Sequence, residues 1–301
     1  MIEAAVIILR LLQYAGAAVL FGSSLFFLYA LPATGPGSAS ATPWTRPLVA
    51  GSALVLALSA LLAVGAQASL FTGSFVDGFT TDSMGAVVSS MSLGKAAVLR
   101  GAVAALAAGC LISRKPDRSS WLVTAGLGAL AAASLAWMGH AAASANWVQL
   151  TADVLHALAA ALWIGALEAF VLLLNDAREA IALTRLHTAL RQFSTLGVPL
   201  VLILTLSGLV NGWFLIGPSR LGDMPFTPYG RLLLVKLAAF AVMLLLAMIN
   251  RYRHTPALES RPDAVTVASL RKSIACEAAL GLSVLALVAW LGTLEPPRSL
   301  L

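Results

Sequence analysis

Apolar residues run through this chain in eight long blocks. They cover roughly 6–31, 48–70, 93–113, 121–139, 150–174, 193–216, 230–250 and 272–292, each close to or above the about 20 residues a helix needs to cross a hydrocarbon core. Between them lie turn-rich stretches such as PATGPGSASATP (32–43) and SRKPDRSS (113–120), where proline, glycine and serine end the helical pattern. The pattern predicts an all-α polytopic membrane protein with eight transmembrane helices, forming a single integral membrane domain over 1–301. The first block has no basic leader or clear small-residue cleavage site and is expected to be a retained helix, not a signal peptide.

Composition supports that assignment: 59% of residues are hydrophobic and only 11% charged, with no polar shell for a soluble domain. The formal charge of +6 does not point to nucleic acid, because most basic residues sit in loops between spans. One set of loops holds Arg46, Arg114, Lys115, Arg118, Arg178, Arg185, Arg191, Arg251, Arg253, Arg261, Arg271 and Lys272, which is 12 of the 19 Lys and Arg. The opposite set holds little beyond Lys95, Arg220, Arg231 and Arg298. By the positive-inside rule the first set is cytoplasmic, so both termini are expected to face outward. Trp137, Trp147, Trp213 and Trp290 would then lie at the outer interface, and Trp44 and Trp121 at the inner one.

A faint internal repeat divides the chain into 1–141 and 142–301. Gly94-Lys95 with Arg100 opens the third span as Gly230-Arg231 with Lys236 opens the seventh. QYAGAAVLFGSSLFF in the first span aligns loosely with HALAAALWIGALEAF in the fifth. This predicts two parallel four-helix repeats related about the membrane normal, an arrangement that in transporters puts sites at the repeat interface. Chance similarity among Ala-, Leu- and Gly-rich helices is the competing reading. In this alignment Gln13 replaces His156 and Arg10 replaces Asp153, so only the second half carries histidine.

Candidate chemistry gathers where the fourth and fifth spans meet. The chain has four histidines, and two of them, His140 and His156, fall here with Asp153. A charge at the bilayer centre costs on the order of 3 kcal/mol or more, so such groups are kept mainly where they are used, paired or wetted. Asp153 and His156 are three residues apart and share a helix face. Imidazoles with a carboxylate or thioether suit copper, and Met138 lies close enough in sequence to add sulfur. Met84, Met91 and Met224, in outward loops, are further candidates to receive a soft ion. The structural alternative is an interfacial histidine and a carboxylate favoured near a helix N-terminus.

Other intramembrane polar groups are Arg100 and Lys236, which either snorkel or bind something anionic, and Glu168 and Glu277. With Cys110 and Cys276 as soft ligands, the two glutamates form candidate later stations on a path; pairing with basic side chains is the plainer reading. His187 and His254, in basic loops, are expected to be solvated. Two cysteines exclude a disulfide framework. No nucleophile–base constellation or zinc-protease motif is present, and no enzymatic activity is expected.

The run GHA…ADVLHALAAALWIGAL resembles the copper resistance protein D (CopD) family of bacterial inner-membrane proteins. RQFSTLG, LTLSGLVNGWFLIG, TPYGRLLLVKL and Asn250-Arg251 are similar to the rest of its pattern, so the resemblance covers about residues 138–252. It implies eight spans in the inner membrane and copper-ion transport in copper resistance or homeostasis. It also implies a small periplasmic copper-binding partner of the CopC type and a site at His140 and His156 with Asp153 beside them. The alternative is a haem b electron-transfer protein, with His140 and His156 as axial ligands and Arg100 and Lys236 facing the propionates. A scaffold or sensor in a copper-response assembly is a third reading.

Overall fold

The computed structural model describes residues 1–301 except 33, 36, 114–116, 140–145, 177–179, 261–262 and 300–301; for 176, 180–184 and 299 only the backbone is described. Among the described residues, eight helices are long and apolar enough to cross a membrane. They are α1 (Ile2–Ala30), α2 (Thr45–Thr72), α3 (Ser92–Ser113), α4 (Arg118–Met138), α5 (Trp147–Asn175), α6 (Arg185–Leu215), α7 (Pro228–Ser260) and α8 (Ala264–Leu291). All eight match the expected blocks. In lipid every backbone N–H and C=O must be satisfied within the protein, which leaves helices as the spanning element. The last three run past the apolar blocks because their polar, basic ends stay helical outside the hydrocarbon, where hydropathy carries no signal. Eight crossings put both termini on one face, called here the terminal face; the other is the basic face.

Helices α1 and α5 form the centre. They cross at Gly22 and Gly165, where a Cβ added to Gly165 would lie 2.7 Å from Gly22 Cα and one on Gly22 would lie 3.0 Å from Gly165 Cα. Ser23 Oγ donates to the Gly165 carbonyl at 2.8 Å across the same contact. Small residues permit this approach, and packing and hydrogen bonds, not water exclusion, drive helix association in a membrane. The crossing coincides with a π-helical segment, Ala18–Ser23, in α1. Helix α2 packs closely on α3 and α3 on α4, so the first four helices close around α1. In the second half α7 packs on α8 and α6 on α5; α6 and α7 touch at the basic face, where Thr255–Ser260 packs on α6, and barely approach one another elsewhere. A gap therefore separates α6 from α7, bridged toward the basic face by Arg251 Nη1, which donates to the Ser194 carbonyl at 2.7 Å.

The basic-face arginines also complete helix C-termini, whose last carbonyls lack intrahelical donors. Arg46 donates to the Leu111 and Ile112 carbonyls of α3, both at 2.6 Å, and Arg271 to that of Leu174 in α5 at 2.7 Å. Two side chains depart from expectation. Trp121 is not in the interfacial belt but 2% exposed in the core, edge-on to Phe27, because α4 turns this face inward. His187 is not simply solvated; its Nε2 lies 3.6 Å from Glu259, which Arg191 also approaches. Trp147, Trp213 and Trp290 are exposed, as belt residues would be. Between α2 and α3, short helices Phe75–Gly78 and Thr81–Ser90 cover the terminal-face ends of both.

Helix α4 starts at a side-chain cap. The Asp117 carboxylate accepts from the Ser120 amide at 2.8 Å and from the Ser119 and Ser120 hydroxyls. Hydrogen bonds from Ser120 and Ser119 hold its pKa down, at about 2 against an ordinary 3.8. A depressed carboxylate pKa contributes stability that is present above the unfolded value and lost as pH falls through the folded one. The cap is thus fully in place at neutral pH and fails only between about pH 4 and pH 2. Asp117→Ala should speed hydrogen exchange at the Ser120 amide at pH 7, while Asp117→Asn, which retains an acceptor, should speed it less.

Candidate functional site

Helix α5 places Asp153 and His156 on one face, near its terminal-face end, and α6 supplies their nearest partners. His156 Nδ1 is 2.9 Å from Ser207 Oγ. Ser207 Oγ is also within donating distance of two carbonyls of its own helix, Ile203 at 2.6 Å and Leu204 at 3.3 Å. The imidazole tautomer sets which side donates: with Nδ1 protonated, Ser207 Oγ accepts and Nε2 carries the lone pair. That is the disposition of a ligating imidazole, whose other nitrogen is held by an outer partner. The ring edge lies against Gly208: a Cβ there would be 3.7 Å from Cε1.

Asn211, one turn beyond Ser207, faces the Asp153 carboxylate. Lys236 on α7 lies within electrostatic reach of both Asp153 and His156. Tyr14 and Tyr229 also stand near Asp153. The group thus sits at the gap between α6 and α7, and Asp153, His156 and Lys236 are all half-buried. On the α4 side, Gly139 approaches Asp153: an added Cβ would lie 3.7 Å from Oδ2. His140 follows Gly139 in sequence and lies outside the described residues. Among the described residues no three His, Cys, Asp or Glu side chains converge as a metal-holding group.

Met138 closes the last turn of α4. It is 6% exposed and lines a small cavity with Gln13, Gln67 and Arg100, on the first-half side of the bundle. Met84 and Met91 pack on a satellite apolar cluster of Val64, Ala68, Val87 and Ala97, and the Met224 backbone presses on Gly230.

The first half holds a matching but cationic cluster. Gln13, which stands 143 residues before His156, donates from Nε2 to the Ser59 carbonyl at 3.4 Å and accepts from Arg100 Nη1. Arg100 also donates to Ser134 Oγ at 3.0 Å and to the Ser134 carbonyl at 2.9 Å. It is fully buried and does not snorkel. Gly22 and Gly165 are separated by the same 143 residues.

Seven residues beyond His156 on α5, the Trp163 indole N–H donates to Glu277 Oε1 at 2.9 Å. Asn250 Nδ2 donates to Glu277 Oε2 at 3.0 Å. Glu277 is 2% exposed and, contrary to the simple ion-pair reading, has no salt bridge among the described residues. Cys276, its neighbour in sequence, is exposed, Cys110 lies in the other half and Glu168 is half-buried. The sequence singled out Glu277 and Trp163 separately; their pairing, 114 residues apart, had no local signal, and Ser207, Asn211 and Asn250 were not singled out as site residues.

Two family descriptions match the chain: copper resistance protein D-like, N-terminal domain, over residues 1–150, and copper resistance protein D over residues 187–291. The chain is 34% identical over 302 aligned positions to copper resistance protein D of Pseudomonas syringae pv. tomato, covering 96% of each. It is also 32% identical to the copper transport protein CutJ of Bacillus subtilis (strain 168) over 163 positions, which is 54% of this chain and 28% of that protein. The likeness therefore extends through the first half, beyond the stretch of about 138–252 that carried the sequence motifs. No solved structure matches the chain.

Proposed function

The chain belongs to the copper resistance protein D family, and from that premise we propose that it carries copper ions across the bacterial inner membrane, from the periplasm toward the cytoplasm. The basic face is read as cytoplasmic by the positive-inside rule, so the terminal face with Asp153 and His156 opens to the periplasm. His140, Asp153 and His156 form the receiving site, and a CopC-like copper-binding protein is the proposed donor. The observation that carries this reading is the His156 imidazole, hydrogen-bonded through Nδ1 with Ser207 Oγ at 2.9 Å, on the same face of α5 as the Asp153 carboxylate. An imidazole nitrogen with a nearby carboxylate suits copper.

The two halves are read as a duplicated four-helix unit. Supporting this are the meeting of Gly22 with Gly165 and the parallel between Gln13–Ser59–Arg100 and His156–Ser207–Lys236. In the first half Arg100 locks the four helices together, while in the second the equivalent position is Lys236, which faces Asp153 beside a gap. The first half then serves as the static frame, and the second rocks against it about the Gly22–Gly165 crossing. A haem at His140 and His156 would need cations for its propionates; Arg100 is already occupied by Gln13 and Ser134, which favours the copper reading.

The test uses purified full-length protein. Metal analysis and an optical spectrum on one sample should give stoichiometric copper without a Soret band, and liposomes containing the protein should accumulate copper faster than empty ones. A Soret band would replace transport with electron transfer. Bound copper with no accumulation would make the protein a sensor or scaffold.

A further inference from the structure

Glu277 is the most deeply buried carboxylate described, and the copper site does not use it. Its oxygens accept one hydrogen bond each, from the Trp163 indole and the Asn250 amide, and both donors are neutral. The other end of that amide, Asn250 Oδ1, is buried without a hydrogen-bond partner, in a residue 8% exposed. Ser273, one turn from Glu277 on the same face of α8, is 9% exposed and its Oγ is also buried without a partner. Asn250 opens a π-helical segment, Asn250–His254, in α7; such segments recur at functional sites. Buried polar atoms left unpaired in this way call for a bound water or ion.

We propose that Glu277, Asn250 and Ser273 form a second cation site, between α7 and α8, that holds a proton or a sodium ion. The donor set is oxygen only, with no imidazole or thiolate, and oxygen ligands select hard cations over copper. Charged groups on the packed elements leave the site open to one added positive charge. Arg10 on α1, Asp153 on α5 and Lys236 on α7 lie toward the terminal face, His254 follows Asn250 by one turn, Glu168 lies five residues beyond Trp163, and Arg271 and Lys272 lie toward the basic face. None of them forms an ion pair with Glu277 among the described residues.

The position gives the ion a role in the transport reading, on which this part of the inference rests. Trp163 links α5, which carries His156, to the site, and Trp163 also packs edge-on against Phe240 of α7 at 6.1 Å. Loading or emptying Glu277 changes what Trp163 and Asn250 donate to, and so biases α7 and α8 against α5. The coupling ion of the carrier would then be the one held at Glu277.

Infrared difference spectroscopy of the full-length protein tests the site without copper. A pH step in sodium-free buffer should produce a protonated-carboxyl band that is absent from Glu277→Gln. Trp163→Phe, which removes one donor but keeps the acid, should retain the band at a shifted frequency. If sodium is the ion, adding it at fixed pH should abolish the band in the wild type; if the proton is the ion, sodium should leave it unchanged. A difference spectrum identical in Glu277→Gln and wild type, with or without sodium, overturns the proposal. A wild type that shows the band but accumulates no copper would sink the transport reading and leave the site standing.

Discussion

Gly165→Leu should yield no folded bundle. A side chain at this position meets the backbone of α1 at Ala18, Gly22 and Ser23, and a Cβ at Gly22 meets the Ala161 carbonyl in return. Backbone cannot rotate away as a side chain can, so α1 and α5 would have to separate along the length of the central contact. Separation also breaks the Ser23–Gly165 hydrogen bond. Even alanine is too large. Replacing helical glycine by alanine gains roughly 1 kcal/mol of propensity, but overpacking a tight contact costs about 1–3 kcal/mol and sometimes more. The clash wins at Gly22 and Gly165. At Gly109 and Gly126 an added Cβ meets nothing within 4 Å, so only the propensity gain remains. Thermal unfolding in detergent should rank Gly109→Ala and Gly126→Ala at or above wild type, Gly165→Ala below it, and Gly165→Leu aggregated on gel filtration. Wild-type elution and melting of Gly165→Leu would show that α1 and α5 do not bear on each other there.

That contact marks the limit of what the sequence conveys. Eight spans are legible because lipid imposes a length and an apolarity that a single chain must display. Which of 24 glycines makes the central crossing is not legible, because the partner lies 143 residues away and both stretches are rich in small residues. Asp153 and His156 could be found because ionisable groups stand out in apolar helices. Ser207 and Asn211 could not, since serine and asparagine in a span satisfy their own helix at little cost and carry no distinguishing spacing. Nearness to His140 in sequence likewise says nothing about which side of α4 Met138 occupies; it lines a small cavity with Arg100. Arg100 and Lys236 look alike in the sequence. Only the partners separate them, with Gln13 and Ser134 holding the arginine and Asp153 facing the lysine.

Lys236→Met should tighten copper binding, while His156→Ala should nearly abolish it. Lys236 places a positive charge beside the site proposed to receive a cation. At an effective dielectric of about 20 and a separation of roughly 7 Å, one unit charge repels another by about 2 kcal/mol, or roughly 30-fold in affinity. Removing the lysine charge should recover about that factor for a monovalent ion, and Lys236→Arg, which keeps the charge, should not. Losing an outer hydrogen-bond partner of a metal ligand costs about 10–100-fold, so losing the imidazole itself should exceed that range. Asp153→Asn should weaken binding in its turn, since it removes the one acidic group described beside His156. The lysine then has a reason to be there: it balances Asp153 in the membrane while the site is empty, and an arriving copper ion takes over that role. Tight retention would defeat a carrier, so a group that competes with the ion for the carboxylate also helps to release it. In a competition titration with a copper chelator, Lys236→Met should therefore bind more tightly yet move copper into liposomes more slowly. Equal affinity in Lys236→Met and wild type would remove lysine from the site. Weaker binding would make it a support for the ligands instead of their competitor.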